Sequence, residues 1–155
     1  MKDIAALYEF MKKNNILAGI MIFDIIAFFS FLLNPISLVA IGDLDFIFGG
    51  VVGILFALHS RKAEQGHLTL CLVVGIGGAL LSALSISVLA YWIYYVSEGK
   101  ENLNALFLTI IFFSMIAGII GTLIGGIFGF ITRLTSPESS KDSEEVFRAF
   151  KIDKS

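Results

Sequence analysis

The sequence predicts an all-α protein, a membrane-spanning four-helix bundle with glycine-rich helix packing and a short N-terminal interfacial helix. Of its 155 residues, 57% are hydrophobic and 15% are charged, so a water-soluble globule of this size would have too few polar side chains to cover its surface. The apolar residues form four segments, and nearly all the charges lie outside them. Glycines recur inside these segments at helical spacing.

The four apolar segments are the predicted spans, at residues 16–33, 46–59, 68–96 and 105–132. At roughly 1.5 Å per residue the third would extend about 43 Å, against a hydrocarbon core of about 30 Å, so we expect it to tilt or protrude. The second would extend only about 21 Å. It therefore either begins earlier, taking in Gly42 and Asp43, or enters the bilayer as a short helix.

Three regions are predicted along the chain: an amphipathic interfacial segment at 1–15, a transmembrane domain at 16–133 and a polar cytoplasmic tail at 134–155. The tail is either a disordered solubilising segment or a docking element with a marginal amphipathic turn. A cleaved signal peptide is the alternative for the first span. Its apolar run of about 18 residues exceeds the usual roughly 7 to 15, which favours a retained helix.

The basic residues predict the orientation in a cell membrane. Lys2, Lys12 and Lys13 precede the first span, Arg61 and Lys62 follow the second, and loop 34–45 has no basic residue. The positive-inside rule therefore predicts a multi-pass protein with cytoplasmic N- and C-termini. The run YWIYY, residues 91–95, then lies at the outer end of the third span, where aromatic rings favour the headgroup layer.

Small residues predict how the helices associate. Lipid tails are as apolar as leucine, so close approach of backbones through glycine favours helix contact in a bilayer. We expect these glycines to pack helices within the chain, with a self-association interface and a glycine-lined pore as the alternatives. The predicted packing residues are Gly49, Gly50, Gly53, Gly75, Gly78, Gly118, Gly121, Gly125 and Gly129.

Conventional catalytic and binding motifs are absent from the sequence. His59 and His67 flank one loop without a cluster of further ligands, and GIGGAL, residues 75–80, lies inside an apolar segment where no dinucleotide loop forms. A net charge of −2 with dispersed basic residues argues against nucleic acid as a partner. We therefore predict no catalytic residue, no cofactor and no metal site.

The order of the spans is similar to that of a known family. A first span is followed by FIFGGVVGILFALHSRKAEQGHLTLCLVVGIGGAL, two glycine-rich helices joined by a short basic loop, and the last span ends in GTLIGGIFGFI. Over residues 16–132 this resembles a family of small archaeal integral membrane proteins that is described only as a domain of unknown function. The resemblance implies a four-helix membrane fold and an archaeal source, and it supplies no activity.

Asp24 is an acidic residue in the middle of the first span. An aspartate at a helix centre costs about 2.5 to 3.5 kcal/mol on the insertion scale, whereas the twelve Leu, Ile and Phe residues of the segment contribute about −4 to −7 kcal/mol. The helix can therefore insert. Because no lysine or arginine lies within the spans, we expect a neutral acid that both donates and accepts hydrogen bonds.

Three hypotheses for Asp24 stay open. It is hydrogen-bonded across helices, with Ser82 and Ser85 as preferred partners and Ser114 as a further intramembrane polar candidate; or it binds or relays a proton or cation; or it bonds to another subunit. The remaining acids Asp43, Asp45, Glu98 and Glu101 belong to the outer boundary, where they either form an acidic mouth for cations or are ordinary solvated loop residues.

The expected function follows from these features. We expect a non-enzymatic structural or accessory membrane protein that associates through its helices, either as a homo-oligomer or within a larger membrane complex, with the lipid bilayer as its surroundings. A small proton- or cation-permeable transporter or channel using Asp24 is the alternative.

Overall fold

The computed structural model describes residues 9–11, 13–33, 44–61, 66–99 and 102–135, and nearly all of these residues are helical. The predicted all-α class is confirmed. The elements are α1 (Asn15–Leu33), α2 (Leu44–His59), α3 (His67–Tyr91), the π-turn (Trp92–Val96) and α4 (Leu103–Leu134). Helix α3 continues directly into the π-turn, where the helix is wider and the backbone hydrogen bonds span five residues instead of four.

Three of the helices are long and apolar enough to cross a membrane: α1 with 19 residues, α3 with its π-turn at 30 residues, and α4 with 32 residues. At 1.5 Å per residue the last two extend about 45 and 48 Å. Helix α2 is shorter, at 16 residues, and begins at Leu44. Gly42 and Asp43 lie outside the described residues, as do most of the segment 1–15 and most of the tail 134–155.

The start of α4 shows how the local sequence sets a helix boundary. Asn102 has an extended backbone immediately before α4, and its side-chain oxygen accepts a hydrogen bond from the backbone N–H of Asn104 at 2.9 Å. This is N-capping, which satisfies a backbone donor that has no partner within the helix.

Helix α3 lies at the centre of the fold. Helices α1 and α4 each pack against both α2 and α3. In an 18-residue apolar stretch of each long helix, the buried share is 44% for α3 with its π-turn, 28% for α1 and 22% for α4. Two clusters of buried side chains follow α3 along its length. The first comprises Phe23, Ala27, Phe31, Phe46, Ala79, Ala83, Ile86, Ala90 and Ala117; the second comprises Ile54, Ala57, Leu70, Cys71 and Val74.

The outward faces of the helices are as apolar as the inward faces. On α1 the exposed side chains include Leu17, Met21, Ile25 and Phe29, and on α4 they include Phe107, Ile111, Met115, Ile119 and Leu123. An apolar exterior on several long helices is typical of helices that hydrocarbon surrounds, because water would favour charged side chains there.

Candidate functional site

Helices α1 and α2 approach each other at the level of the backbone. A Cβ atom on Gly53 would lie 2.6 Å from the carbonyl oxygen of Gly19, and one on Gly49 would lie 2.6 Å from the carbonyl oxygen of Phe23. These pairs are four residues apart on each helix and run in opposite directions, so α1 and α2 form an antiparallel hairpin packed along their i, i+4 rows. A residue with a side chain does not fit at Gly49 or at Gly53 unless one of the two helices moves.

Helices α3 and α4 form a second antiparallel seam of the same kind. A Cβ atom on either Gly75 or Gly121 would overlap the carbonyl oxygen of the other residue. One turn further, a Cβ on Gly125 would lie 2.6 Å from the carbonyl oxygen of Cys71, and next a Cβ on Gly129 would lie 2.8 Å from an α3 backbone carbon. We call the contact of Gly75, Cys71, Gly121, Gly125 and Gly129 the α3–α4 seam.

Two of the remaining predicted glycines, Gly78 and Gly50, lie against side chains of other helices rather than against backbone. A Cβ on Gly78 would lie 2.5 Å from the ring of Phe23, and one on Gly50 would lie 3.1 Å from Ile124. Eight of the nine predicted glycines therefore lie against another helix. Gly118 is the exception, since no atom outside its own helix turn lies within 4 Å of an added Cβ.

Asp24 lies beside α3. Ile20, one turn earlier on the same face of α1, reaches within 2.9 Å of the Cβ position of Gly77 on α3. Asp24 itself is half-buried, and its Oδ1 atom is fully buried without a hydrogen-bond partner.

The predicted hydrogen bond from Asp24 to the α3 serines is not formed at Oδ1. The Ser82 hydroxyl is buried and donates instead to the carbonyl of Gly78 at 2.8 Å, one turn earlier in its own helix. Serines inside helices commonly bond back in this way, which removes the donor from the space between helices. Ser85 is half-buried on the same helix.

Ser114 lies away from Asp24, on an outward face of α4. Together with Gly118 and Thr122 it lines a shallow groove of about 480 Å³. The Thr122 hydroxyl donates to the carbonyl of Gly118 at 2.7 Å, so its hydrogen-bond donor is used within the helix. Larger apolar side chains, Met115, Ile119 and Leu123, complete the lining, so the groove is mainly apolar.

Two polar contacts between α1 and α2 were missed from the sequence. The Ser30 hydroxyl donates to Oδ1 of Asp45, which is only 5% exposed, and the Asn15 side chain donates to the carbonyl of Ala57 at 3.3 Å. Asp45, which the sequence left open as a solvated loop residue or part of an acidic mouth, is therefore a buried and hydrogen-bonded residue in the first turn of α2. The α1–α2 hairpin brings the last turn of α1 beside the first turn of α2. Ser30 and Asp45 lie near the two ends of the segment that connects these helices, and this position in the sequence could have predicted their contact.

The other side chains with chemical potential are dispersed. Cys71 is buried with a free thiol, and His59 and His67 lie at the end of α2 and the start of α3. Within the described ranges, no three His, Cys, Asp or Glu residues come together in a group that could hold a metal ion. In comparisons with known proteins, the chain matches no family model, no curated protein and no solved structure.

Proposed function

We propose that this chain is a multi-pass integral membrane protein with a non-enzymatic structural or accessory role, and that it acts through helix–helix association within the membrane. In this proposal α2 is a short fourth span beside the three long apolar helices, and both termini are cytoplasmic. The observation that carries the proposal is that large apolar side chains cover the outside of the helices while glycines occupy the contacts between them.

The physical argument concerns what drives association in each solvent. In water, helices associate by hiding leucines, and their outward faces are charged. In lipid that drive is absent, and helices associate where small residues let the backbones touch. The backbone contacts of the α1–α2 hairpin and of the α3–α4 seam support the second situation.

Cross-linking in native membranes tests the association. We would place a single cysteine at Gly118 in a Cys71→Ala background, because a side chain added at Gly118 meets nothing within 4 Å and the groove beside it leaves room for a further helix. The matched control is Ile127→Cys, which is about 180° away around α4 at about 100° per residue.

We expect the Gly118→Cys protein to form a cross-linked species, either with a second copy or with another membrane protein, and the Ile127→Cys protein to form much less. Equal cross-linking of the two variants, or a monomer from both, would overturn the proposal that α4 associates with a further helix.

Proton or cation permeation at Asp24 is the second candidate function. It is favoured by one observation, the buried Oδ1 atom of Asp24 that has no hydrogen-bond partner. Intramembrane acids of this kind typically mark ion or proton pathways, since their cost is otherwise uncompensated.

A liposome flux assay separates this candidate from the structural role. Permeation at Asp24 requires the wild-type protein to carry a proton or cation current that Asp24→Asn abolishes. Asp45→Asn is the matched control, because it removes a buried acid that already has a hydrogen-bond partner. No current from the folded wild-type protein, or an unchanged current in Asp24→Asn, would refute permeation.

A further inference from the structure

A pocket of about 350 Å³ lies where the end of α3 and its π-turn meet the first turns of α4. Three tyrosines line it, together with the small side chain of Ala90. The other lining residues are Phe113, Thr109 and Glu98. This pocket is at the opposite end of α3 from His67 and is separate from Asp24, so neither candidate function above uses it.

The tyrosines are held in place by the helix and by a contact with α4. Tyr91, Tyr94 and Tyr95 share one face of the chain, at i, i+3 and i+4. The rings of Tyr91 and Tyr95 are stacked, with centroids 5.5 Å apart and an interplanar angle of 20°. The hydroxyl of Tyr91 accepts a hydrogen bond from the backbone N–H of Asn102 at 3.0 Å, which fixes that ring against the start of α4.

The lining has the charge distribution of a cation site. The face of an aromatic ring carries partial negative charge and attracts cations, and the Glu98 carboxylate adds a full negative charge. None of the described lining residues is basic. Inorganic cations such as Ca²⁺ fit poorly, since Ca²⁺ takes about six to eight oxygen ligands, mainly from carboxylates, carbonyls and water, and the lining offers a single carboxylate.

We propose that this pocket binds an organic ammonium cation, with methylated ammonium as the preferred form. The rings of Tyr91, Tyr95 and Phe113 contact the methyl groups, and the Glu98 carboxylate, which also interacts with another group of the chain, adds negative charge to the lining. A volume of about 350 Å³ is near the lower end for ligand pockets, about 300 to 1,000 Å³, which suits a head group rather than an extended molecule. The cation comes either from a choline-type lipid or from a small soluble amine.

Binding is tested on the full chain in an uncharged maltoside detergent. The probes are choline and its neutral isostere 3,3-dimethylbutan-1-ol, titrated by calorimetry. We expect choline to bind about tenfold or more tightly than the isostere, because only the cation gains the ring and carboxylate attraction. Equal binding of the two probes would overturn the proposal, as would no binding of choline together with no retention of a choline lipid in vesicles.

Variants locate the binding in this pocket. Tyr95→Leu and Glu98→Gln are each expected to weaken choline binding about tenfold, whereas Tyr95→Phe retains it because the ring face remains. Trp92→Leu is the matched control: Trp92 belongs to the same π-turn, is 62% exposed and does not line the pocket. An equal loss in Trp92→Leu, with thermal midpoints unchanged, would assign the effect to a general aromatic anchor and refute the pocket.

The two sources of the cation are separated in vesicles. Native mass spectrometry of the protein from vesicles of phosphatidylcholine and of phosphatidylglycerol reports whether a choline lipid is retained. Selective retention of phosphatidylcholine that Tyr95→Leu abolishes supports the site with a lipid as its ligand. Choline binding in detergent without lipid retention supports the site with a soluble amine as its ligand, and the absence of both overturns it.

Discussion

At the scale of single residues, Asp24 is the one described residue with a buried side-chain nitrogen or oxygen atom, its Oδ1, that has no hydrogen-bond partner. An unsatisfied buried polar atom costs about 1 to 3 kcal/mol. The sequence-based hypothesis that Asp24 fastens α1 to Ser82 predicts a loss of stability in Asp24→Leu. The structure reverses that expectation, because no bond at Oδ1 would be lost.

We therefore expect Asp24→Leu to raise the free energy of unfolding by about 1 to 3 kcal/mol. Asp24→Asn is the control, since an amide of the same size leaves a polar atom in the same place. Thermal unfolding in detergent measures both. A lower midpoint for Asp24→Leu than for the wild type would show that the carboxyl group has a stabilising partner.

The contact between Ser30 and Asp45 supports a second prediction at this scale. Ser30→Ala removes the donor from a carboxylate that is 5% exposed, so we expect a loss of about 1 to 3 kcal/mol in the free energy of unfolding. The control is Ser82→Ala, expected to cost less, because the Ser82 hydroxyl bonds only within its own helix.

A double-mutant cycle with Asp45→Asn checks that the effect belongs to this pair. Residues in one hydrogen bond show coupling energies of roughly 0.5 to 3 kcal/mol. Additive effects of the two substitutions would contradict a direct bond between Ser30 and Asp45.

At the scale of the helices, the α3–α4 seam predicts a strict demand for glycine. Gly121→Ala places a methyl group on the carbonyl oxygen of Gly75, and backbone cannot move aside as a flexible side chain does. We expect a loss of about 1 to 3 kcal/mol in the free energy of unfolding, as for other overpacked contacts. Thermal or denaturant unfolding in detergent measures it.

Gly118→Ala provides the matched control three residues away. An added Cβ at Gly118 meets nothing within 4 Å, and alanine is the better helix former by up to about 1 kcal/mol. We expect unchanged or slightly higher stability. Equal destabilisation by the two alanines would show that helix propensity, rather than the seam, sets the demand for glycine.

Helix boundaries were predictable, and contact faces were predictable only where glycines recur along a helix. The predicted spans end where α1 and α2 end, at 33 and 59, because length and hydropathy carry that information. The faces depend on periodicity, and these helices are apolar on both their inward and outward sides, so the pattern is weak. Gly19 was missed for this reason: it stands apart from other glycines in α1, and its partner Gly53 follows only from the register of the hairpin.

At the scale of the whole molecule, the proposed orientation predicts which ends of the helices face the cytoplasm. Ser60 follows α2 and Ser97 follows the π-turn, so the two residues lie at opposite membrane surfaces in the proposed topology. In a Cys71→Ala background, we expect Ser97→Cys to react with an impermeant maleimide in intact cells. Ser60→Cys should react only after the cells are permeabilised.

The reverse labelling pattern would invert the topology, and labelling of both sites in intact cells would contradict a spanning α3. Burial of Cys71 provides an internal control, because the wild-type thiol is shielded in the folded protein and should stay unlabelled.

Composition predicted the apolar helices of spanning length, which the structure confirms in α1, α3 and α4. The similarity to an archaeal family, the non-enzymatic role and the absence of a cofactor stay predictions. The pocket of tyrosines at the end of α3 was not predictable as a site. YWIYY is equally typical of an interfacial belt, and only the position of α4 places Phe113 and Thr109 opposite the rings.

The α3–α4 seam also affects how the helices come together. Glycine has no side-chain rotamers, so helices that meet through Gly75, Gly121 and Gly125 lose little conformational entropy at those positions when they associate. The backbone entropy of these glycines is already lost when each helix forms. Docking of two preformed helices is therefore opposed mainly by their loss of translation and rotation, which the connection between them has already reduced.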